Sequence, residues 1–343
     1  MFNPTIKDVA RQAGVSIATV SRVLNNKSTV APDLAAKVNQ AVEQLGYHPN
    51  SIARTLKSDS SKTIGFVVSD ISNDFFTRMA RGVEDVLNQH GYSLFVCSTD
   101  STQLREEQCL SLLREKQVDG LIINTSGKND ELITQISHHV PIALFGRKIS
   151  SAEFTGDFVD NDNFSGTQEL TRHLIRLGHR KIGLVCGQMY ISSARERFAG
   201  FQSAMREIGV AVDDTYPYLY KGSFNRISSG ADGTKYLYER GATAVISANN
   251  VLALGALQFC HNARIQVPRE LSLCSFGTIA NHELLYAQPT YAEQAPASMG
   301  ARLAEMIIER IEAKNQLANR ELRFSTNLIV GNGTDAPREE LSE

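Results

Sequence analysis

The stretch that decides the fold of the N-terminus is TIKDVARQAGVSIATVSRVLN, residues 5–25. Thr5 and Asp8 have the form of a capping box, and Gly14 suits the left-handed residue that ends a helix. Between them, apolar residues recur at helical spacing: Ile6, Val9, Ala10 and Ala13. Ser16 can cap a second helix from 17 to about 25, and a third is predicted from Pro32 to Leu45. The sequence therefore predicts a small three-helix domain of helix-turn-helix form.

One face of the second helix is suited to the major groove of DNA. Ile17, Ala18, Ser21 and Arg22 share this face, opposite the apolar side of the helix. Arg22 could donate two hydrogen bonds to guanine, Ile17 could meet a thymine methyl, and Ala18 allows close approach of the backbone. Short polar residues suited to phosphates are Ser16, Thr19, Ser21 and Asn25. The alternative at this point is an ordinary three-helix domain that docks a protein.

The charge of the chain is unevenly distributed. The 343 residues hold 35 Lys and Arg against 37 Asp and Glu, a formal net charge of −2. Residues 1–58 carry seven basic and three acidic side chains, a balance of +4, and the remainder carries −6. A basic head on an acidic body is the pattern expected of a nucleic-acid reader with a second task.

Several function classes are disfavoured by the sequence. The first eight residues do not show the charged-then-apolar pattern of a leader, so we expect no secretion by a signal peptide. No apolar run approaches the roughly 18 residues of a membrane helix, and five scattered cysteines suggest reduced thiols. We therefore expect a cytoplasmic protein without membrane partners. Nucleophile-elbow, phosphate-loop, dinucleotide-binding and metal-ligand spacings are absent from the sequence, which predicts no enzyme activity, no catalytic residues, no cofactor and no metal.

After residue 62, strand-like runs alternate with amphipathic stretches. The predicted strands are 63–69, 94–98, 118–124, 142–146, 158–160, 181–186, 218–221, 244–247 and 271–275. Predicted helices include 76–90, 104–116, 167–177, 195–208 and 251–263. This alternation predicts an α/β core of two doubly wound, parallel-sheet subdomains, because about ten strands exceed one ordinary sheet. The polar tail after Leu328 is expected to fray.

Several longer motifs resemble the lactose/galactose repressor family. They are the head stretch above, Leu45-Gly46-Tyr47-His48-Pro49-Asn50, Ile52-Ala53-Arg54, Asp70-Ile71-Ser72-Asn73, Leu177-Gly178-His179-Arg180 and Ala194-Arg195-Glu196-Arg197. The resemblance implies a homodimeric, ligand-controlled regulator with a periplasmic-binding-protein-like core. It places the DNA-binding domain at 1–49, a hinge helix and linker at 50–61, and an effector-binding and dimerisation domain at 62–343. The first subdomain is then about 62–160 plus 293–321, and the second about 161–292 plus 322–332.

The same resemblance extends the DNA-binding set. Matching family positions add Thr5, Tyr47, Asn50, Ala53 and Arg54, and the family's hinge leucine corresponds to Leu56. In the family this leucine wedges a central base step of a palindromic operator, a known device of minor-groove binders. An isolated hinge helix this short is unstable, so we expect it to order only with DNA.

The family's effector pocket maps onto eight residues: Asn73, Phe75, Phe76, Ser193, Arg197, Phe224, Asn249 and Gln294. Arg147 is added as a ninth effector residue by the charge argument that follows. Carboxylates common in the family are replaced near Gly146, Asn250 and Gly277. Because carboxylates repel anions in a closed cleft, these changes favour an anionic sugar acid or sugar phosphate paired with Arg197 and Arg147. The competing interpretation is a neutral sugar in a rearranged pocket.

Together these features predict a sequence-specific repressor of a carbohydrate-utilisation operon, controlled by a small sugar-like effector in the cleft between subdomains. The alternative is a solute-binding protein or sensor of a neutral sugar without operator function. Such a protein would share the core but not the basic head.

Overall fold

The computed structural model describes residues 4–24, 30–47, 60–213 and 215–338. The chain divides into two compact units, Met1–Ser61 and Lys62–Glu343. No helix in the described ranges is both long and apolar enough to cross a membrane.

The first unit contains the three predicted helices, α1 (Ile6–Ala13), α2 (Ile17–Leu24) and α3 (Pro32–Leu45). The Thr5 amide donates to Asp8 Oδ2 at 2.9 Å, and the Thr19 amide donates to Ser16 Oγ at 3.1 Å, so both predicted helix starts are capped. Gly14 ends α1 in the left-handed region with φ 67°. A small core holds the helices together: Val9, Ala10, Val20, Val38, Ala41 and Tyr47.

The second unit alternates strands and helices. In chain order they are β1 Thr63–Val68, α4 Asp74–Gln89, β2 Ser93–Ser98, α5 Gln103–Glu115, β3 Gly120–Ile123, α6 Asp130–Ser137, β4 Ile142–Phe145, β5 Asp157–Asn161, α7 Asn163–Arg176, β6 Ile182–Cys186, α8 Ser192–Glu207, β7 Leu219–Lys221, α9 Ile227–Tyr238, β8 Ala244–Ser247, α10 Asn250–Ala263, β9 Ser272–Phe276, β10 Thr290–Glu293, α11 Pro296–Glu312, β11 Glu321–Phe324 and β12 Asn327–Ile329. A 3₁₀ turn spans His282–Leu284.

Two six-stranded sheets organise these elements. Their strand orders are β11-β5-β4-β3-β1-β2 and β12-β10-β9-β8-β6-β7. Every neighbouring pair is parallel except β10 and β12. The predicted pair of doubly wound subdomains is confirmed, with one antiparallel edge strand on the second sheet.

Late segments of the chain depart from the expectations. β11 pairs with β5 through Phe324, so the first subdomain extends beyond the boundary expected at 321/322. The expectation of a frayed tail is wrong up to residue 338. Gly333 bonds to Leu273 and Gln288, and the Asp335 carbonyl accepts from His179 at 2.8 Å. Short polar segments were missed because their partners lie far away in sequence.

Candidate DNA-binding face and effector cleft

The predicted DNA face of α2 is presented to solvent. Ile17 is 43% exposed, and Ser16, Ala18 and Arg22 are also exposed. Thr19 and Ser21 are half-buried, and Val20 is fully buried on the opposite side. The helix therefore offers an apolar contact, a close-approach position and a cation on one surface.

The other predicted DNA contacts differ in placement. Thr5 is exposed, but its side chain is bonded to Asp8. Tyr47 is only 8% exposed and belongs to the core of the helical unit, so its ring packs inside instead of being displayed. Five predicted contacts lie outside the described residues: Asn25, Asn50, Ala53, Arg54 and Leu56.

Arg22→Ala is expected to lower operator affinity by roughly 10- to 100-fold and to relax preference at one base pair, because a base-edge contact carries sequence information. The measurement is binding to operator fragments with single-base changes. Lys37→Ala removes an exposed cation from α3 and is the matched control. Equal losses on operator and random DNA would contradict a base-reading role for Arg22.

The second unit contains a cavity of about 70 Å³, which we call the inner cavity. It lies where strands of both sheets end at their carboxyl edges, which is where open α/β sheets bind ligands. All nine sequence-predicted effector residues line it. Their role in binding remains a prediction.

Further residues line the inner cavity that the sequence analysis did not name as contacts: Ser69, Asn124, Gly146, Asp160, Asn161, Asn225 and Asn250. Ser69, Asn124 and Asp160 stand at or just beyond the ends of β1, β3 and β5. A polar residue at the carboxyl end of an otherwise apolar strand was the available signal.

Four buried polar atoms of this lining have no hydrogen-bond partner among the described residues. They are Ser69 Oγ, Asn124 Oδ1, and both Oδ1 and Nδ2 of Asn161. Native proteins rarely leave such atoms unpaired, since each costs the desolvation of a polar group. Atoms of this kind suit a water molecule or a ligand that both donates and accepts hydrogen bonds.

Arg197 is held rigidly in this cavity. Its Nε donates to Asn163 Oδ1 at 2.9 Å, Nη1 donates to the Ala248 carbonyl, and the guanidinium lies 3.8 Å from the centre of the Phe276 ring. Burial lowers the pKa of Arg197 to about 10, against the opposing effect of Asp160 and Glu196. Arg197 therefore remains charged at neutral pH.

Arg147 is the second buried cation. Its Nη1 donates to the Thr125 carbonyl at 2.9 Å and to Ser101 Oγ at 3.3 Å. Burial lowers its pKa to about 10, partly offset by Tyr190 and Glu106. Two fixed, desolvated cations thus face one small cavity.

Asp160 corrects the picture of a cleft depleted of carboxylates. It is 1% exposed, and its oxygens accept from the Asn161 amide and from Asn163 Nδ2, both at 2.8 Å. Burial raises the pKa of Asp160 to about 6, although Arg197 and the hydrogen bonds counteract this shift. Asp160 was not predicted from the sequence, because β5 was not considered as a source of effector contacts.

Glycines stand at two of the positions where the family commonly has a carboxylate, and at each of them an amide side chain lies close by. Gly277 has φ +93°, and a Cβ there would stand 2.5 Å from Gln294 Oε1. Gly146 has φ +65°, and its Cβ would stand 3.0 Å from Asn124 Nδ2. Amide side chains therefore occupy the space near these two positions.

The predicted aromatic residues serve both cavity and core. Phe76 is 9% exposed and packs edge-on to Phe75 and Phe145, with ring centroids 5.3 and 6.1 Å away. Phe224 is 7% exposed and belongs to the core of the second subdomain. These rings line the wall of the cavity, and only Phe75 is partly open to solvent.

Hydrogen bonds cross the cleft between the two subdomains. Asn250 Nδ2 donates to Asn73 Oδ1 at 2.8 Å, and the Lys148 amide donates to Ser192 Oγ at 2.8 Å. Because Asn73 also caps α4 through the Phe75 amide, the first of these bonds joins the starts of α4 and α10. The inner cavity is thus enclosed by both subdomains.

Comparison with known proteins matches these two units to two family descriptions. Residues 5–50 match "Bacterial regulatory proteins, lacI family". Residues 61–330 match "Periplasmic binding proteins and sugar binding domain of LacI family".

Individual relatives agree with this assignment. The HTH-type transcriptional repressor PurR of Haemophilus influenzae (strain PittEE) is 32% identical over 314 residues, covering 91% of this chain and 92% of that protein. The HTH-type transcriptional regulator RegA of Clostridium saccharobutylicum is 33% identical over 315 residues, covering 90% and 93%. A solved complex of the transcriptional regulator CelR with cellobiose shares 26% identity and a TM-score of 0.72, over 96% of this chain and 99% of that one. The chain belongs to the LacI family and is a DNA-binding transcriptional repressor of that family, not an enzyme.

Proposed function

We propose that this repressor binds a palindromic operator as a homodimer and that a small, polyhydroxylated, anionic effector in the inner cavity controls its affinity for DNA. The observation that carries the effector assignment is the set of unpartnered buried atoms on Ser69, Asn124 and Asn161. Sugar hydroxyls both donate and accept, so one ring can satisfy all four atoms.

The charge of the lining supports an anion. Arg147 and Arg197 line the inner cavity together with one carboxylate, Asp160, while Glu106 and Glu196 act on these arginines from outside its lining. A carboxylate or phosphate that accepts from either buried guanidinium would make charge-assisted hydrogen bonds, which are stronger than neutral ones.

Two sets of relatives suggest different effectors. The CelR complex contains cellobiose, which supports a carbohydrate. The PurR relatives suggest a purine as the second candidate, and the aromatic and amide lining of the cavity would also suit a base. The arginine pair favours the anionic sugar.

The decisive experiment titrates sugar acids, sugar phosphates, neutral sugars including cellobiose, and purine bases against the complex of the full chain with operator DNA. We expect an anionic sugar to change operator affinity at least about 10-fold, because a charge-assisted hydrogen bond made in only one of two states of the cleft is worth that much. The neutral parent sugar should act more weakly.

A pH series gives an internal control. As pH falls through about 6, Asp160 takes up a proton and the lining becomes more positive, so a sugar carboxylate should bind more tightly. A response only to neutral sugars would refute the charge assignment, and a response only to purine bases would refute the sugar.

A further inference from the structure

A second, larger cavity adjoins the inner one. It measures about 530 Å³, and we call it the outer chamber. It shares three lining residues with the inner cavity: Arg147, Phe224 and Asn225. The two spaces are therefore neighbours in one cleft, and both subdomains contribute to each.

A bridge of polar side chains separates the two spaces. Asn225 Nδ2 donates to Ser101 Oγ, which also accepts from Arg147 Nη1. Asp100 and Ser101 have φ angles of 48° and 53°, in the left-handed region that residues other than glycine rarely adopt. Strained backbone of this kind is characteristic of ligand clamps.

The outer chamber is lined by more cations than carboxylates. Four basic residues, Arg105, Lys128, Arg147 and Arg226, stand against Asp70 and Asp100. Asp100 is already paired with Arg105, and the Asp70 carboxylate accepts from the amide and hydroxyl of Ser72. Both carboxylates therefore have partners close by in the chain.

Lys128 and Arg226 remain as uncommitted charges. Lys128 follows β3 of the first sheet, and Arg226 precedes α9 of the second. Neither makes an ion pair within the ranges that the structure describes. The nearest recorded contact of the Lys128 ammonium group is with the Tyr190 ring, whose centre lies 5.9 Å from Nζ. Both side chains are exposed, so each is accessible to an anion that enters the chamber.

We propose that the outer chamber is a subsite for a phosphate ester, so that the effector is a sugar phosphate whose ring occupies the inner cavity and whose phosphoryl group lies between Lys128 and Arg226. This deepens the proposed function and depends on it for the location of the ring. A phosphate is close to dianionic at neutral pH and presents three acceptor oxygens, which matches two cations with Arg147 behind them.

Such an effector would couple binding to the arrangement of the subdomains. Lys128 belongs to the first subdomain and Arg226 to the second, so a phosphate held by both favours the closed cleft over an open one. A ligand shifts such an equilibrium only through contacts made differently in the two states, and this bridge is one.

The test compares matched pairs of ligands by calorimetric titration of the full chain: glucose with glucose 6-phosphate, ribose with ribose 5-phosphate, and gluconate with 6-phosphogluconate. We expect one phosphorylated member to bind at least about 10-fold more tightly than its parent. Lys128→Gln with Arg226→Gln should abolish this advantage and leave the parent's affinity within about 2-fold. The matched control, Lys116→Gln with Arg206→Gln, removes one exposed cation just after α5 and one on α8, and neither residue lines either space. Urea unfolding checks that both double variants keep the stability of the parent protein.

The outcomes separate the two proposals. If gluconate binds and phosphorylation adds nothing, the outer subsite is refuted while the anionic effector stands. An equal loss for both members of a pair in the Lys128/Arg226 variant also refutes the subsite. If no sugar in any form binds, the proposed effector class fails, and the subsite fails with it.

Discussion

Arg197→Gln is expected to weaken effector binding by about 100-fold and to leave operator affinity without effector unchanged. The loss follows because a charge-assisted hydrogen bond contributes about 1.5–3 kcal/mol, and because Asp160 at the same time loses the positive charge that lowers its pKa. Calorimetry with the effector found by titration measures the loss. Operator binding without effector measures the second expectation.

Two further variants serve as a negative and a positive control for this result. Arg206→Gln makes the same change of charge at an exposed position of α8 and should bind effector normally. Asn161→Ala removes two unpartnered buried atoms, so it should weaken effector binding while the unliganded domain becomes no less stable. Normal effector affinity in Arg197→Gln would exclude the guanidinium from the site.

Asp157→Asn is expected to cost about 3–5 kcal/mol of the free energy of unfolding, the usual loss when one partner of a buried ion pair is removed. Asp157 and Arg310 are fully buried, and Arg310 Nη2 lies 2.6 Å from Asp157 Oδ1. Arg320 Nη2 lies 2.7 Å from the other oxygen. The pair ties the start of β5 to α11 and so secures the strand that carries Asp160 and Asn161. Urea denaturation measures the loss.

The pH dependence of stability provides a second readout. Burial raises the pKa of Asp157, but hydrogen bonds from Arg320 and Arg310 outweigh it, so the net pKa lies below the usual value. A depressed folded-state pKa means that this stabilisation is present above about pH 4 and is lost as pH falls through the folded value. The Asn variant should therefore lose less stability than the parent protein on acidification. Glu305→Gln, at an exposed ion pair on α11, should match the parent protein, and an equal loss there would contradict the buried-pair argument.

The helical unit could be predicted from the sequence almost completely, because its signals are local. The Thr5 and Asp8 capping pair, the left-handed Gly14 and the Ser16 cap each act within a few residues. The exposure of Ile17 and Arg22 also followed from helical spacing. Tyr47 is an exception to this success, because the motif that resembles the family did not indicate that the Tyr47 ring lies in the core of the helical unit.

The cleft was predicted in part. The nine residues predicted for the effector site line one cavity, because the fold brings the carboxyl ends of both sheets to the same place. Asp160 was not predicted, because the prediction rested on three positions where carboxylates are absent and did not consider carboxylates elsewhere in the chain. Its carboxylate offsets part of the positive charge of the cavity lining.

The sequence by itself determined the helix-turn-helix unit, the alternation of strands and helices, and the separation of charge between head and body, since each depends on residues close together in the chain. Only the tertiary structure decided the unpaired atoms of Asn161, the burial of the Asp157–Arg310 pair across 153 residues, and the placement of Lys128 and Arg226 on one chamber. The physical reason is that desolvation and charge pairing depend on what surrounds a side chain in space. In this fold those surroundings come from segments that are distant in the chain.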